Sequence, residues 1–380
     1  MRILQVSGVL CDRLGGGVGD HVCSLSRQLI EAGHEVEVLT YSNEPSKHAA
    51  DPFAVHRLEI SALPMSRFFQ WGRDANRMVK QLIKTRKFDL VHAHTTSMAF
   101  PLFYDAPPPL VITCHGTSAD PVHGTDRQVL LRLVETRYYQ SASRVIAVSQ
   151  NVAEELAKRR VSKDKIDVIP NGTDPTRFGG TLLNRKAARS SLDLREGQFA
   201  VLYIGSLTRR KGVNVLLEAV DEILAKEGEE TFRFLVAGDG PLRRVANERA
   251  KIHRAIRVFG FVSENCLGNL YAASDLFVIP SLYEGLPTTL LDAMAFGLPT
   301  IASDIPVHAE TLAENSGMLV NCSTAGVLAE VIRWAEKNKS EIAKMGQAAL
   351  LRSLKYSWRT IMPGIYRAYD AAMATGPSCE

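Results

Sequence analysis

Glu284 and Asp292 lie eight residues apart, separated by a Gly285-Leu286-Pro287 turn and a run with helix propensity. Carboxylates only accept hydrogen bonds and backbone amides donate them, so the two together suit a sugar, whose hydroxyls need both. The amides would come from a helix starting near Thr288, with Pro287 suited to its first positions; unpaired N–H groups there favour an anion or a polyol oxygen. A second set is cationic, with Arg209, Arg210 and Lys211 in one short loop. Such side chains bind phosphate through charge-assisted bonds, bidentate for Arg. A third set is His94 and His115, each closing an apolar run. Ahead of all of them, Gly15-Gly16-Gly17-Val18-Gly19 would let backbone approach a ligand before a helix. That cluster has neither the dinucleotide nor the Walker spacing, so a plain flexible turn is an equal reading of it.

The positions of these residues follow from the elements around them. Apolar, β-branched runs predict strands over residues 2–8, 35–40, 89–94, 110–117, 144–149, 199–204, 232–237, 256–262, 275–279, 299–302 and 317–320, those at 89–94 and 110–117 ending in polar loops. Helices are expected over 19–32, 68–87, 150–159, 213–226 and 289–296, with a last one over 358–372 kinked or broken at Pro363. Strand alternating with helix argues doubly wound α/β domains, which bind ligands beyond the carboxyl ends of their strands. A polar stretch after the Pro170-Asn171-Gly172 turn puts a domain boundary near residue 175.

At 380 residues the chain exceeds one typical core. Hydrophobic content of 46% and charged content of 23% are those of a globular protein rather than a disordered or membrane-embedded one. A net charge of +4 leans mildly toward anionic ligands or surfaces, and no nucleic-acid partner is expected. Six cysteines, Cys11, Cys23, Cys114, Cys266, Cys322 and Cys379, show no Cys-x-x-Cys pair and no metal-ligand spacing, so a reduced, cytoplasmic setting is expected. No signal peptide and no run of about 20 apolar residues stands out. Residues 67–87 interleave Arg67, Arg73, Arg77, Lys80, Lys84, Arg86 and Lys87 with Phe68, Phe69, Trp71, Met78, Leu82 and Ile83. Two readings are open for this segment: an ordinary surface helix, or a peripheral contact with an anionic membrane.

The stretch from Pro280 to Gly297 resembles the signature of retaining GT-B glycosyltransferases of the family 4 type, the glycosyl transferases group 1, in which a Glu, seven residues and a second Glu hold the donor sugar and its ribose. The resemblance implies two doubly wound Rossmann-like domains facing across a cleft. Residues 1–175 would bind the acceptor and 176–357 the nucleotide sugar, with the helix over 358–374 packing back on the first domain. It assigns Glu284 and the 285–289 segment (Gly285, Leu286, Pro287, Thr288, Thr289) to the donor sugar, and Asp292, one methylene shorter than the usual Glu, to the ribose. Gly16 and Gly17 match a loop that meets the diphosphate, and Val262 the backbone that reads the base. Lys211 matches a catalytic cation, while Arg210 stands in for an Arg usually found where Ser206 lies. His115, in Thr113-Cys114-His115-Gly116, matches a His beside the anomeric carbon, and His94 one near the acceptor.

The implied reaction is retaining transfer of a hexose-type sugar from a nucleotide diphosphate donor, UDP-linked by expectation. The acceptor would be a hydroxyl of a sugar, a glycolipid, an inositol or an aminocyclitol. Arg210, Lys211 and the Gly16-Gly17 amides would neutralise the leaving diphosphate. No Asp-x-Asp occurs in the chain, in keeping with no metal and no other cofactor. A GT-B sugar-nucleotide epimerase or hydrolase is the alternative.

Overall fold

The computed structural model describes residues 1–10, 16–41, 52–58, 64–95, 109–117, 135–178 and 184–374. The chain forms two compact units, Met1–Gly172 with Trp358–Glu380, and Thr173–Ser357.

The first unit is built on a seven-stranded sheet: β1 (Arg2–Ser7), β2 (Glu35–Tyr41), β3 (Ala54–Leu58), β4 (Leu90–Thr95), β5 (Leu110–Cys114), β6 (Arg144–Ala147) and β7 (Ile166–Val168). Its order is β3-β2-β1-β4-β5-β6-β7, and every pairing is parallel. The order reverses between β1 and β4, which opens a crevice at their carboxyl ends. The sequence did not single out β3 and β7 because they are short, partly exposed edge strands without a continuous apolar run.

The first helix runs over Gly16–Glu31, so Gly16 and Gly17 are its opening residues and not a loop ahead of it. Gly16 takes φ +49°, a left-handed conformation that a side chain would strain. The last helix, Trp358–Ala374, runs on through Pro363, so of the kink or break expected there the break does not occur. One side of it buries Trp358, Ile361, Met362, Ile365, Ala368, Tyr369 and Ala372 in the core of the first unit. Pro363 and Arg359 lie on the exposed side, where water can take up the carbonyl that proline leaves without a donor.

The second unit repeats the plan with β8 (Phe199–Ile204), β9 (Phe232–Ala237), β10 (Ile256–Gly260), β11 (Leu276–Ile279), β12 (Thr300–Ser303) and β13 (Met318–Val320). The order is β10-β9-β8-β11-β12-β13, again all parallel, with the switch between β8 and β11. Phe199–Ile204 and Leu276–Ile279 are buried throughout, as sheets covered on both faces require. β10 ends at Gly260, two residues short of expectation, because Gly260 turns the chain at φ +67°.

Cys114 and Cys322 are free and buried, and Cys266 is free and exposed. Cys23 departs from the expected reduced set in being disulfide-bonded. Spacing along the chain carried no sign of this. Among the described residues no helix is long and apolar enough to cross a membrane.

Candidate functional site

In the second unit the functional side chains gather on the loops that leave β8 and β11 at the switch point. Gly212, at φ +70°, lies so close to Pro280 that a Cβ would run into the Pro280 carbonyl oxygen. This contact locks the Arg209-Arg210-Lys211 loop against the start of the Ser281–Gly285 turn. The Leu282 amide then donates to the Arg210 carbonyl at 2.8 Å, and Arg210 Nη1 to the Tyr283 carbonyl at 3.0 Å. Lys211 Nζ reaches Glu284 Oε1 at 2.5 Å. Glu284 is only 6% exposed. Burial by itself would raise its pKa, but the Lys211 ammonium, helped by Arg210, outweighs burial and holds the carboxyl below its ordinary range.

The helix Thr288–Ala295 follows with Pro287 at its cap, so buried residues 285–288 and half-buried Thr289 lead into its open amides. Asp292 lies in that helix, 3% exposed, with both oxygens engaged. Thr173 Oγ1 donates to one at 2.7 Å and Arg177 Nη2 to the other at 2.6 Å. Each carboxylate of the pair thus has its own partners. Val262 sits half-buried two residues beyond the Gly260 turn.

In the first unit four imidazoles converge at the β1/β4 switch. His92 and His94 project from the same side of β4, and His115 follows β5. His94 Nδ1 is 3.2 Å from His115 Nε2, and His94 Nε2 is 2.5 Å from Gln5 Oε1 on β1. His92 is tied by both nitrogens, to Tyr369 Oη at 2.7 Å and Thr113 Oγ1 at 2.8 Å. His21, from the first helix, places its ring 4.8 Å from His115 and 5.3 Å from Trp358. The turn at Asn171-Gly172 completes the group: the Asn171 side chain acts on His115 against the effect of burial, and Gly172 lies so close to the Trp358 ring that a Cβ would run into it. Burial pushes His21 and His92 down to about 3. Burial and the neighbouring imidazoles hold His94 and His115 well below the ordinary value, so the cluster is neutral at pH 7. Neutral imidazoles can accept and donate, which suits a hydroxyl or a metal ion.

Two family models match the chain in succession: Glycosyltransferase Family 4 over residues 15–177 and Glycosyl transferases group 1 over residues 184–352. The chain belongs to the family 4-type glycosyltransferases. An uncharacterised glycosyltransferase of Methanocaldococcus jannaschii is 28% identical over 80% of this chain and 81% of its own length. A phosphatidyl-myo-inositol mannosyltransferase of Mycolicibacterium smegmatis is 28% identical over 99% of this chain and 95% of its own. Anabaena HepE, solved with UDP and glucose, superposes with a TM-score of 0.77 at 18% identity, covering 97% of this chain and 99% of that one. The two parallel sheets are therefore of the GT-B class.

Of the residues expected to serve this glycosyltransferase, the second unit brings Arg210, Lys211 and Glu284 into one bonded group, and the first brings His94 and His115 together. Gly16 and Gly17 open a helix instead of forming a loop. Sequence reasoning passed over His21, His92, Gln5, Asn171, Thr173 and Arg177. His21 had a signal, since it falls four residues before Leu25 on the buried stripe of its helix. Arg177 had none, because its partner Asp292 is 115 residues away.

Proposed function

We propose that this glycosyltransferase moves a hexose-type sugar, with retention of anomeric configuration, from a UDP-sugar to a hydroxyl acceptor. The second unit would hold the nucleotide sugar and the first the acceptor. The Lys211–Glu284 pair at the β8/β11 switch carries this reading, since it sets a cation for the leaving phosphate beside a carboxylate for the sugar hydroxyls. Glu284 and the amides around Gly285, Leu286, Pro287, Thr288 and Thr289 would orient the sugar. Asp292 would reach the ribose, Val262 the base, and Gly16 and Gly17 the diphosphate. His115 would lie beside the reacting carbon and His94 near the acceptor. Fixed cations neutralise the diphosphate without a bridging metal.

UDP-, GDP- and ADP-sugars discriminate the donor. A UDP-sugar at about 100 times its Kd is expected to stabilise the protein by about 2.7 kcal/mol, read as a rise in melting temperature, with the others far behind. Product NMR should show the donor's anomeric configuration, and the rate should be equal in EDTA and in Mg²⁺. A thermal response to GDP- or ADP-sugars alone, or an inverted product, would sink the proposal.

The acceptor side extends to membranes. The helix Pro64–Arg86 packs Ala75, Val79 and Leu82 inward and exposes Arg73, Arg77, Lys80 and Lys84 along one side. Its apolar face is thus used within the unit, and the side chains of Arg67, Phe68, Phe69 and Trp71 lie outside the described residues. Attachment to the inner face of a membrane would then be electrostatic, about 1 kcal/mol per basic residue. The phosphatidyl-inositol acceptor named for the Mycolicibacterium relative supports this. Co-sedimentation with anionic vesicles at low salt, lost on charge reversal of Arg77 and Lys84, is the expected result; no pelleting at low salt would remove the membrane contact.

A further inference from the structure

We propose that His21, His94 and His115 form a binding site for a divalent transition-metal ion of the zinc class. One ring nitrogen from each of the three lies within 4.8 Å of the others. The 3.2 Å between His94 Nδ1 and His115 Nε2 is close to the roughly 3.3 Å edge that two nitrogens make around tetrahedral zinc at about 2.0–2.1 Å. His21 brings the third nitrogen within the same 4.8 Å.

Three features of the cluster point to an ion and not merely to packed rings. His21 is 3% exposed, and neither of its ring nitrogens has a hydrogen-bond partner among the described residues. A buried imidazole with no partner is unfavourable, and a ligand would relieve it. Gln5 Oε1 accepts from His94 Nε2, which fixes the tautomer and leaves the Nδ1 lone pair facing the other two histidines. This is the outer-shell support that ligating histidines carry in metal sites. His92, although its ring is 4.2 Å from that of His94, is excluded because both of its nitrogens are already bonded. Three histidines leave a fourth position open, and half-buried His115 gives access to it. The site shares His94 and His115 with the proposed transfer reaction but is not required by it: an ion there would take up ring nitrogens that the donor and acceptor would otherwise meet.

The test reads binding rather than turnover, so its failure is separable from failure of the proposed transfer reaction. The full chain, freed of metal by a chelator and dialysed, is titrated with Co²⁺ and then Zn²⁺. One equivalent should bind, with the visible ligand-field bands of a four- or five-coordinate ion that Zn²⁺ abolishes. Gln5→Ala is expected to weaken binding about 10–100-fold, and His21→Ala, with an unchanged circular dichroism spectrum, by at least the upper end of that range. His253→Ala is the control, because His253 with Asp221 and Glu229 makes a half-buried cluster that could take up a stray ion. Should His21→Ala fail to fold, a Zn²⁺-induced rise in melting temperature in the wild type that is missing in His115→Ala decides in favour. The inference is overturned if the wild type binds no Co²⁺ more tightly than about 100 µM. Uptake that survives in His21→Ala, or that is lost only in His253→Ala, overturns it equally.

Discussion

Lys211→Ala is expected to lower kcat/KM by about 10²–10³-fold, roughly 2.7–4 kcal/mol of transition-state stabilisation, the usual loss when one fixed donor to a developing anion is removed. The same change strands Glu284, and breaking a buried pair costs about 3–5 kcal/mol of stability. Because the two effects would arrive together, the double variant Lys211→Ala with Glu284→Gln separates them. A neutral amide tolerates burial without the ammonium, so stability should recover while the rate does not. A single variant within about tenfold of wild type, or a double variant that regains the rate, would remove Lys211 from the catalytic group.

The pair also sets a pH dependence. Glu284 has a folded-state pKa below its unfolded value of about 4.3, so its contribution to stability is fully present above that value. It is lost as pH falls through the folded pKa. Glu284→Gln should lack this acid-side loss in a denaturant series from pH 6 downward.

The second large effect is structural. Arg177→Ala leaves Asp292 buried with Thr173 as its remaining partner among the described residues, and the 12% and 4% side-chain exposures of the pair place it in the regime where removing one member costs about 3–5 kcal/mol. For a unit of this size that is a fall in melting temperature on the order of 10 °C. Arg177 also loses its stacking over Phe178, where the guanidinium lies 4.5 Å from the ring centre. Asp292→Asn, which keeps the Thr173 bond and removes the charge, should cost clearly less. A fall of under about 2 °C in Arg177→Ala would show the pair to be screened. Donor affinity in Asp292→Asn addresses the proposed ribose contact separately, because it drops only if a carboxylate oxygen also meets the nucleotide.

Much of this molecule was legible in the order of its residues. Continuous apolar runs such as Phe199–Ile204 and Leu276–Ile279 mark buried parallel strands, since a strand covered on both faces can have no polar alternation. The loops after them announced their chemistry through residue type alone: Arg210 and Lys211 in one, Glu284 in the other, His94 and His115 in the first unit. What the tertiary structure decided is who meets whom. Asp292 finds Thr173 and Arg177, and His94 finds Gln5 and His115, across 119, 115, 89 and 21 residues of chain. Those meetings depend on sheet order and register, which local propensity does not encode. Pro363 makes the same point from the other side: the intrinsic preference was for a break, and burial of one face from Trp358 to Ala372 against the core kept the helix whole.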